Sequence, residues 1–225
     1  FLKSTKDKNR VMMVILLTLI GAIILLDKYA IGEFGISQPV VAGAIIGAFC
    51  GDVNAGIFIG ALFQMVFLAN LPIGKDIPPD AQAAGIAGCG SYFLLKSSNQ
   101  NEPNLMIVFL IGILVSILGS SLDIVVRRIN EGLFYRFLRD HKKLYIYHFA
   151  GIGTAFIRGV VLFLPLFFLV SIVRFPVLGA AFNKEFLLII IVSIGIANGI
   201  YLYFKRHSFY FLVIGVICAL AYFVF

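Results

Sequence analysis

Eight apolar runs take up most of this 225-residue chain, at roughly 11–26, 39–50, 55–69, 81–95, 105–122, 149–173, 186–204 and 209–225. Apolar residues make up 61% of the sequence and charged residues 13%. A soluble domain is about half apolar and about a quarter charged. A single domain of this size still exposes much of its surface, so the excess cannot all be hidden from water. A soluble enzyme, a nucleic-acid module and a disordered tail are therefore excluded. A helix crossing a bilayer needs about 20 residues. The expected fold is all-α, a polytopic membrane protein with roughly seven to eight membrane segments. The runs at 39–50, 55–69 and 81–95 are short for a crossing and rich in Gly and Ala.

The net charge of +7 does not point to nucleic acid, because the basic residues gather in short connectors. Lys3, Lys6, Lys8 and Arg10 precede the first run. Arg127, Arg128, Arg136, Arg139, Lys142 and Lys143 fill the connector 127–143, and the two groups hold ten of the 18 basic residues. Positive-inside bias places both on the cytoplasmic side. An even number of crossings must then separate them, yet five apolar runs lie between. One of the five is expected not to cross. The shortest, 39–50, is the choice, which puts one or more broken or re-entrant segments around 39–70. Such backbone is tolerated at membrane depth only where protein or a polar cavity covers it. The first run has no small-residue cleavage site before Asp27, so it reads as a retained membrane helix.

Gly43, Gly47 and Gly51 recur every four residues, and Gly56 with Gly60 and Gly195 with Gly199 repeat the spacing. Such stripes let helix backbones approach closely in lipid. Pro165 lies inside the 149–173 run and is expected to kink it. Cys50, Cys89 and Cys218 read as core packing, since none is spaced as a metal site or redox pair. His141, His148 and His207 have no metal-ligand companions, so neither a metal nor a cofactor is expected.

Polar side chains within this apolar chain carry the functional signal, because burying them in hydrocarbon is costly. They concentrate in 27–82: Asp27, Gln38, Asp52, Asn54, Gln64, Asn70, Asp80 and Gln82. Carboxylates and amides together present donors and acceptors suited to the hydroxyls of a neutral polyol. Gln64 stands mid-run among Phe63, Met65, Val66 and Phe67, with no turn to explain it, and is the foremost candidate. Asp27, Asp52 and Asp80 fit either helix caps and turns or a ligand site. Arg158, within an apolar run, either pairs with a buried acid or snorkels to the interface. No P-loop, serine-hydrolase or zinc-protease motif is present, and Gly51-Asp52 has no partner motif of the intramembrane aspartyl protease kind.

The stretch from Leu26-Asp27 to Gly88 resembles the IIC subunit of the mannose/fructose/sorbose family of the bacterial phosphotransferase system (PTS). The resemblance rests on Leu26-Asp27, on Gln38-Pro39 opening the next segment, and on a glycine-rich run ending in Gly51-Asp52. Gly56 and Gly60 follow with Gln64, then Ile73-Gly74 and Pro79-Asp80-Ala81. It is strong over 26–95 and continues, more weakly, through His148 to Pro165 and on to about 204. It implies a sugar permease subunit without chemistry of its own. That subunit would sit in the bacterial cytoplasmic membrane as a multi-pass hetero-oligomer with a IID membrane subunit. It would pass a hexose-type sugar inward while cytoplasmic IIA and IIB subunits carry the phosphoryl group. The substrate-binding residues expected on this basis are Gln64, Asp52, Asn54, Gln38, Asp80 and Asp27. An alternative of another class is a non-transporting membrane scaffold or assembly subunit. Lys75-Asp76 stand where the family has small residues, a departure that bears on sugar selectivity. Residues 1–225 read as a single IIC-type integral membrane domain. The chain stops at Phe225, about one helix short of the family's usual length, as for a fragment or a shortened member.

Overall fold

Runs of Leu, Ile, Val and Phe in hydrocarbon have no water to satisfy their backbone, so they close their own hydrogen bonds as helices. The computed structural model describes residues 5–68, 78–98, 104–139, 144–173 and 184–204, with 210, 213, 214 and 217. Among them seven α-helices follow in order. They are α1 (Thr5–Leu26), α2 (Pro39–Cys50), α3 (Val53–Val66), α4 (Ala81–Ser98), α5 (Leu105–Arg139), α6 (Leu144–Ile172) and α7 (Lys184–Phe204). A π-helical turn, Asp27–Ile31, extends α1. Asn70, Lys75, Asp76, His141, His207 and Cys218 lie outside the described residues, as does most of the eighth apolar run.

Among the described residues three helices are long and apolar enough to cross a bilayer: Lys8–Leu26 within α1, α5 and α6. Their outer faces are apolar, with Met12, Ile15 and Ile23 on α1, Leu114 and Leu118 on α5, and Ile157 and Phe168 on α6 all exposed. That is the surface of a protein whose solvent is lipid. α2, α3 and residues Leu187–Tyr201 of α7 are shorter apolar helices. The chain is thus an all-helical polytopic membrane protein.

The middle of the fold is α4, where every residue from Ala83 to Leu95 is buried. A helix apolar on all sides belongs inside a bundle. Its small residues let α1, α2, α3, α5 and α6 all pack against it. Phe63 of α3 drops into a pit floored by Gly88 of α4 and Gly112 of α5, where added β-carbons would collide with its ring. The same ring stacks on Phe109 at 5.5 Å between centroids.

α2 and α3 form a tight antiparallel hairpin. Gly51 closes it in the left-handed conformation (φ +84°), which glycine adopts without strain. A β-carbon on Gly43 would collide with the Gly56 carbonyl, and one on Gly60 with that of Pro39. The four-residue stripe seen in the sequence is therefore backbone-on-backbone packing. At 12 and 14 residues the two helices are about 18 and 21 Å long, short of the hydrocarbon core of about 30 Å.

Two expectations change. The basic stretch 127–143 is not a loop over its described part, because α5 continues unbroken to Arg139. Arg, Leu, Phe and Ile propagate a helix readily, and the charges only mark where it leaves the hydrocarbon. Among the described residues nothing lies near a β-carbon built on Gly199, whereas Gly195 makes a close approach onto Met65. Pro165 lies inside α6.

Candidate functional site

The open end of the hairpin brings together the start of α2 and the end of α3. Gln38 is the residue before α2, followed by Pro39, whose missing N–H is no loss in a first turn. Gln64 lies in the last turn of α3. Its Nε2 donates to Gln38 Oε1 at 3.1 Å. Its own Oε1 is buried and has no hydrogen-bond partner among the described residues. The partly positive N-terminus of α2 and the partly negative C-terminus of α3 meet here. A group that both donates and accepts hydrogen bonds suits such a junction better than a bare ion.

The neighbouring elements hold this pair in place. Asp27 is buried, and its carboxylate accepts from the Phe34 N–H (2.8 Å), the Ser37 N–H (3.0 Å) and the Ser37 hydroxyl (3.1 Å). It thereby ties down the turn through Gly32, Glu33 and Gly35, all at positive φ, that delivers Gln38. At the other side, Asn198 of α7 donates from Nδ2 to the Val66 carbonyl at 2.7 Å and reaches that of Met65 at 3.5 Å. These are among the last carbonyls of α3, which have no partner within their own helix.

A second polar group is a buried ionic cluster. Asp80, 1% exposed, pairs with Lys28 at 3.0 Å and with Arg158. It also caps α4 by accepting from the Ala83 N–H at 3.2 Å, while its own N–H donates to the Ser116 carbonyl at 2.9 Å. Arg158 donates a further bond to the Gly119 carbonyl at 3.0 Å. The cluster joins the π-turn, α4, α5 and α6. Of the two readings of Arg158, the structure selects pairing.

Asp52 and Asn54 lie at the opposite end of the hairpin, separated from Gln38 by the twelve residues of α2, about 18 Å. Asp52 caps α3 through the Ala55 N–H at 3.0 Å and pairs with Lys96 of α4 at 3.0 Å. Both partners are more than a third exposed, so this pair adds little stability. Asn54 is exposed in the first turn of α3. Of the six candidates, the structure therefore joins Gln38 with Gln64, sets Asp27 as the anchor of Gln38, engages Asp80 with two cations, and sets Asp52 and Asn54 apart.

Sequence reasoning missed Asn198 and Lys28. Asn198 carried a usable signal, an amide inside the apolar run 186–204, of the same kind that singled out Gln64. Lys28 did not, because a lysine beside Asp27 at the end of a run reads as a solvated connector. Replacing Asn198 with Leu is expected to strand the Val66 carbonyl at a cost of about 1–3 kcal/mol. Membrane insertion should persist while the Gln64 turn loosens. Faster hydrogen exchange at residues 64–67, with exchange in α4 unchanged, is the expected signature.

A family model described as the PTS system sorbose-specific IIC component matches residues 11–224. The mannose-specific EIIC component of the PTS from Escherichia coli K12 is 37% identical over 54 residues, and that of Shigella flexneri matches equally. The matched stretch spans 24% of this chain and 20% of each relative's length. One solved chain, described only as a membrane protein, superposes with a TM-score of 0.62 at 20% identity, covering 95% of this chain and 96% of its own. A chain from the electron cryomicroscopy structure of the mannose transporter ManYZ with microcin E492 gives a TM-score of 0.58 at 20% identity, covering 96% of each. The family model covers nearly the whole length, and the chain therefore belongs to the family of PTS sorbose-specific IIC components.

Proposed function

We propose that this chain forms one wall of a sugar translocation path, with Gln38 and Gln64 hydrogen-bonding the hydroxyls of a hexose-type sugar. The observation that carries the reading is the Gln38–Gln64 amide pair at the meeting of two helix ends, with the Gln64 oxygen unmatched. A sugar ring has hydroxyls on all sides, whereas the polar groups here stand on one side. A second membrane subunit of the IID kind supplies the facing wall, and the family membership and the likeness to a chain of a mannose transporter structure support this. Phosphoryl transfer belongs to cytoplasmic IIA and IIB partners, and the complex resides in the bacterial cytoplasmic membrane with its arginine-rich end inward. In this reading Asp27 and Asp80 support the site without touching the sugar.

The test is calorimetric titration of candidate hexoses into this chain purified alone and purified with a co-expressed IID subunit. Binding by the pair and none by the single chain is expected. Equal affinity in the two preparations would overturn the shared site.

A further inference from the structure

The segment from the π-turn to Gln38 packs little against the bundle, with Ile31, Phe34 and Ile36 at 53%, 75% and 42% exposure. Glu33 sits at φ +58°, in the left-handed region that residues other than glycine rarely adopt. Such a conformation persists where surrounding contacts over-determine it. Asp27 supplies several of them. Its backbone carbonyl accepts from the Glu33 N–H at 2.8 Å, and its carboxylate accepts from the N–H groups of Phe34 and Ser37. The Gln38 N–H donates to the Gly35 carbonyl at 3.1 Å. These bonds close within ten residues, so they shape the turn without fixing it to the bundle. Pro39, packed on Gly60 and Gly85, fixes the α2 side of Gln38. On the other side stands Lys28, the residue after Asp27, which reaches across 52 residues to Asp80 Oδ1 at 3.0 Å. Asp80 is also held by Arg158, by the Ser116 carbonyl that accepts from its own N–H, and by the Ala83 N–H. Of its two cations, Lys28 thus belongs to the turn and Arg158 to the core.

We propose that Lys28 is a positioning residue of the sugar site: its ion pair with Asp80 moors the turn that presents Gln38. Successive residues divide the work, Asp27 forming the turn and Lys28 fixing it to the start of α4. Lys28 acts through the turn and does not touch the sugar. The effect on sugar binding rests on the role given above to Gln38 and Gln64, whereas the mooring of the turn does not. If the turn holds its productive position only about a tenth of the time, apparent affinity falls about 10-fold. Removing Lys28 leaves Asp80 its bonds to Arg158, Ser116 and Ala83, so the turn loosens while the cluster stays.

The experiment compares the parent with Lys28→Met, which removes the charge and nearly keeps the side-chain length, and with Lys28→Arg, which keeps the charge. Hydrogen exchange of the full chain in detergent reads the mooring. In Lys28→Met the amides of Glu33, Phe34, Ser37 and Gln38 should exchange about 10-fold faster, with those of α4 unchanged. Lys28→Arg should restore the parental rates. Uptake in cells co-expressing the partner subunits reads the site, using whichever of mannose, fructose and sorbose the parent takes up fastest. Lys28→Met should raise the half-saturating concentration about 10-fold and leave the maximal rate per inserted protein within about twofold. Lys28→Arg should again restore the parental value. Unchanged exchange at the four amides in Lys28→Met overturns the proposal. Exchange that also quickens throughout α4 overturns it too, since the lysine then only stabilises the cluster. Gln64→Leu, run in parallel, separates the two readings. Parental half-saturation by Lys28→Met beside impaired uptake by Gln64→Leu overturns the positioning role. Parental uptake by both, with the expected change in exchange, overturns the sugar reading of Gln38 and Gln64 and supports the mooring of the turn.

Discussion

Asp80→Asn is expected to lower the unfolding midpoint of the detergent-solubilised protein by about 10 °C. Asparagine keeps the shape of aspartate and its capacity to cap α4 through the Ala83 N–H, so the substitution removes little except charge. What remains is Arg158, with a side chain 1% exposed, and Lys28, at 17%, facing a neutral amide. Breaking a buried pair by removing one partner costs about 3–5 kcal/mol, because an uncompensated charge is left in a medium that solvates it poorly. For a chain of this size each kcal/mol moves the midpoint by about 2–4 °C. Lys28→Gln should cost less, since Asp80 keeps Arg158 and the lysine is the more accessible partner. Asp80→Asn/Arg158→Gln should recover part of the loss, because one orphaned charge goes with its partner. A midpoint for Asp80→Asn within 2 °C of the parent would show that the cluster does not hold these elements together.

Gln64→Leu should reduce sugar uptake about 5- to 150-fold, the range that follows from about 1–3 kcal/mol for each buried hydrogen-bonding group left unpaired. Leucine has nearly the volume of glutamine and suits the apolar C-terminal half of α3, so folding and insertion should be unaffected. The partner Gln38 loses its donor at 3.1 Å in the same step. Gln38→Leu alone should give a smaller loss, because Gln38 is exposed and water replaces part of what is removed. The double variant should lose less than the sum of the singles if the amides act as a unit. Uptake measured in cells co-expressing the partner subunits, normalised to membrane-inserted protein, decides the matter. Parental uptake by Gln64→Leu would make Gln64 a packing residue.

Much was legible in the sequence because lipid imposes simple rules. Apolar runs must become helices, glycines four apart must sit where backbones touch, and an amide with no turn to explain it must face something polar. α1, α5 and α6 followed from those rules, and the glycine spacing marked residues at which α2 and α3 touch. The same rules failed at charge, since arginines in 127–139 mark an interface and say nothing about whether the helix stops there.

What each carboxylate does was decided only by tertiary structure. Asp27, Asp52 and Asp80 look alike along the chain: each adjoins a turn, and each fits a cap or a ligand site. Asp80 and Asp52 differ by contacts across large sequence separations, Asp80 with Lys28 and Arg158 and Asp52 with Lys96, whereas Asp27 binds the turn seven to ten residues on. Local sequence dictates backbone hydrogen bonding, which closes within a few residues. It does not dictate which distant charge or amide the packed helices bring within 3 Å, because that depends on how small residues such as Gly43, Gly56 and Gly119 let the backbones approach. The hairpin therefore separated Asp52 from Gln64 although they are only twelve residues apart, and it brought Gln38 to Gln64 across twenty-six.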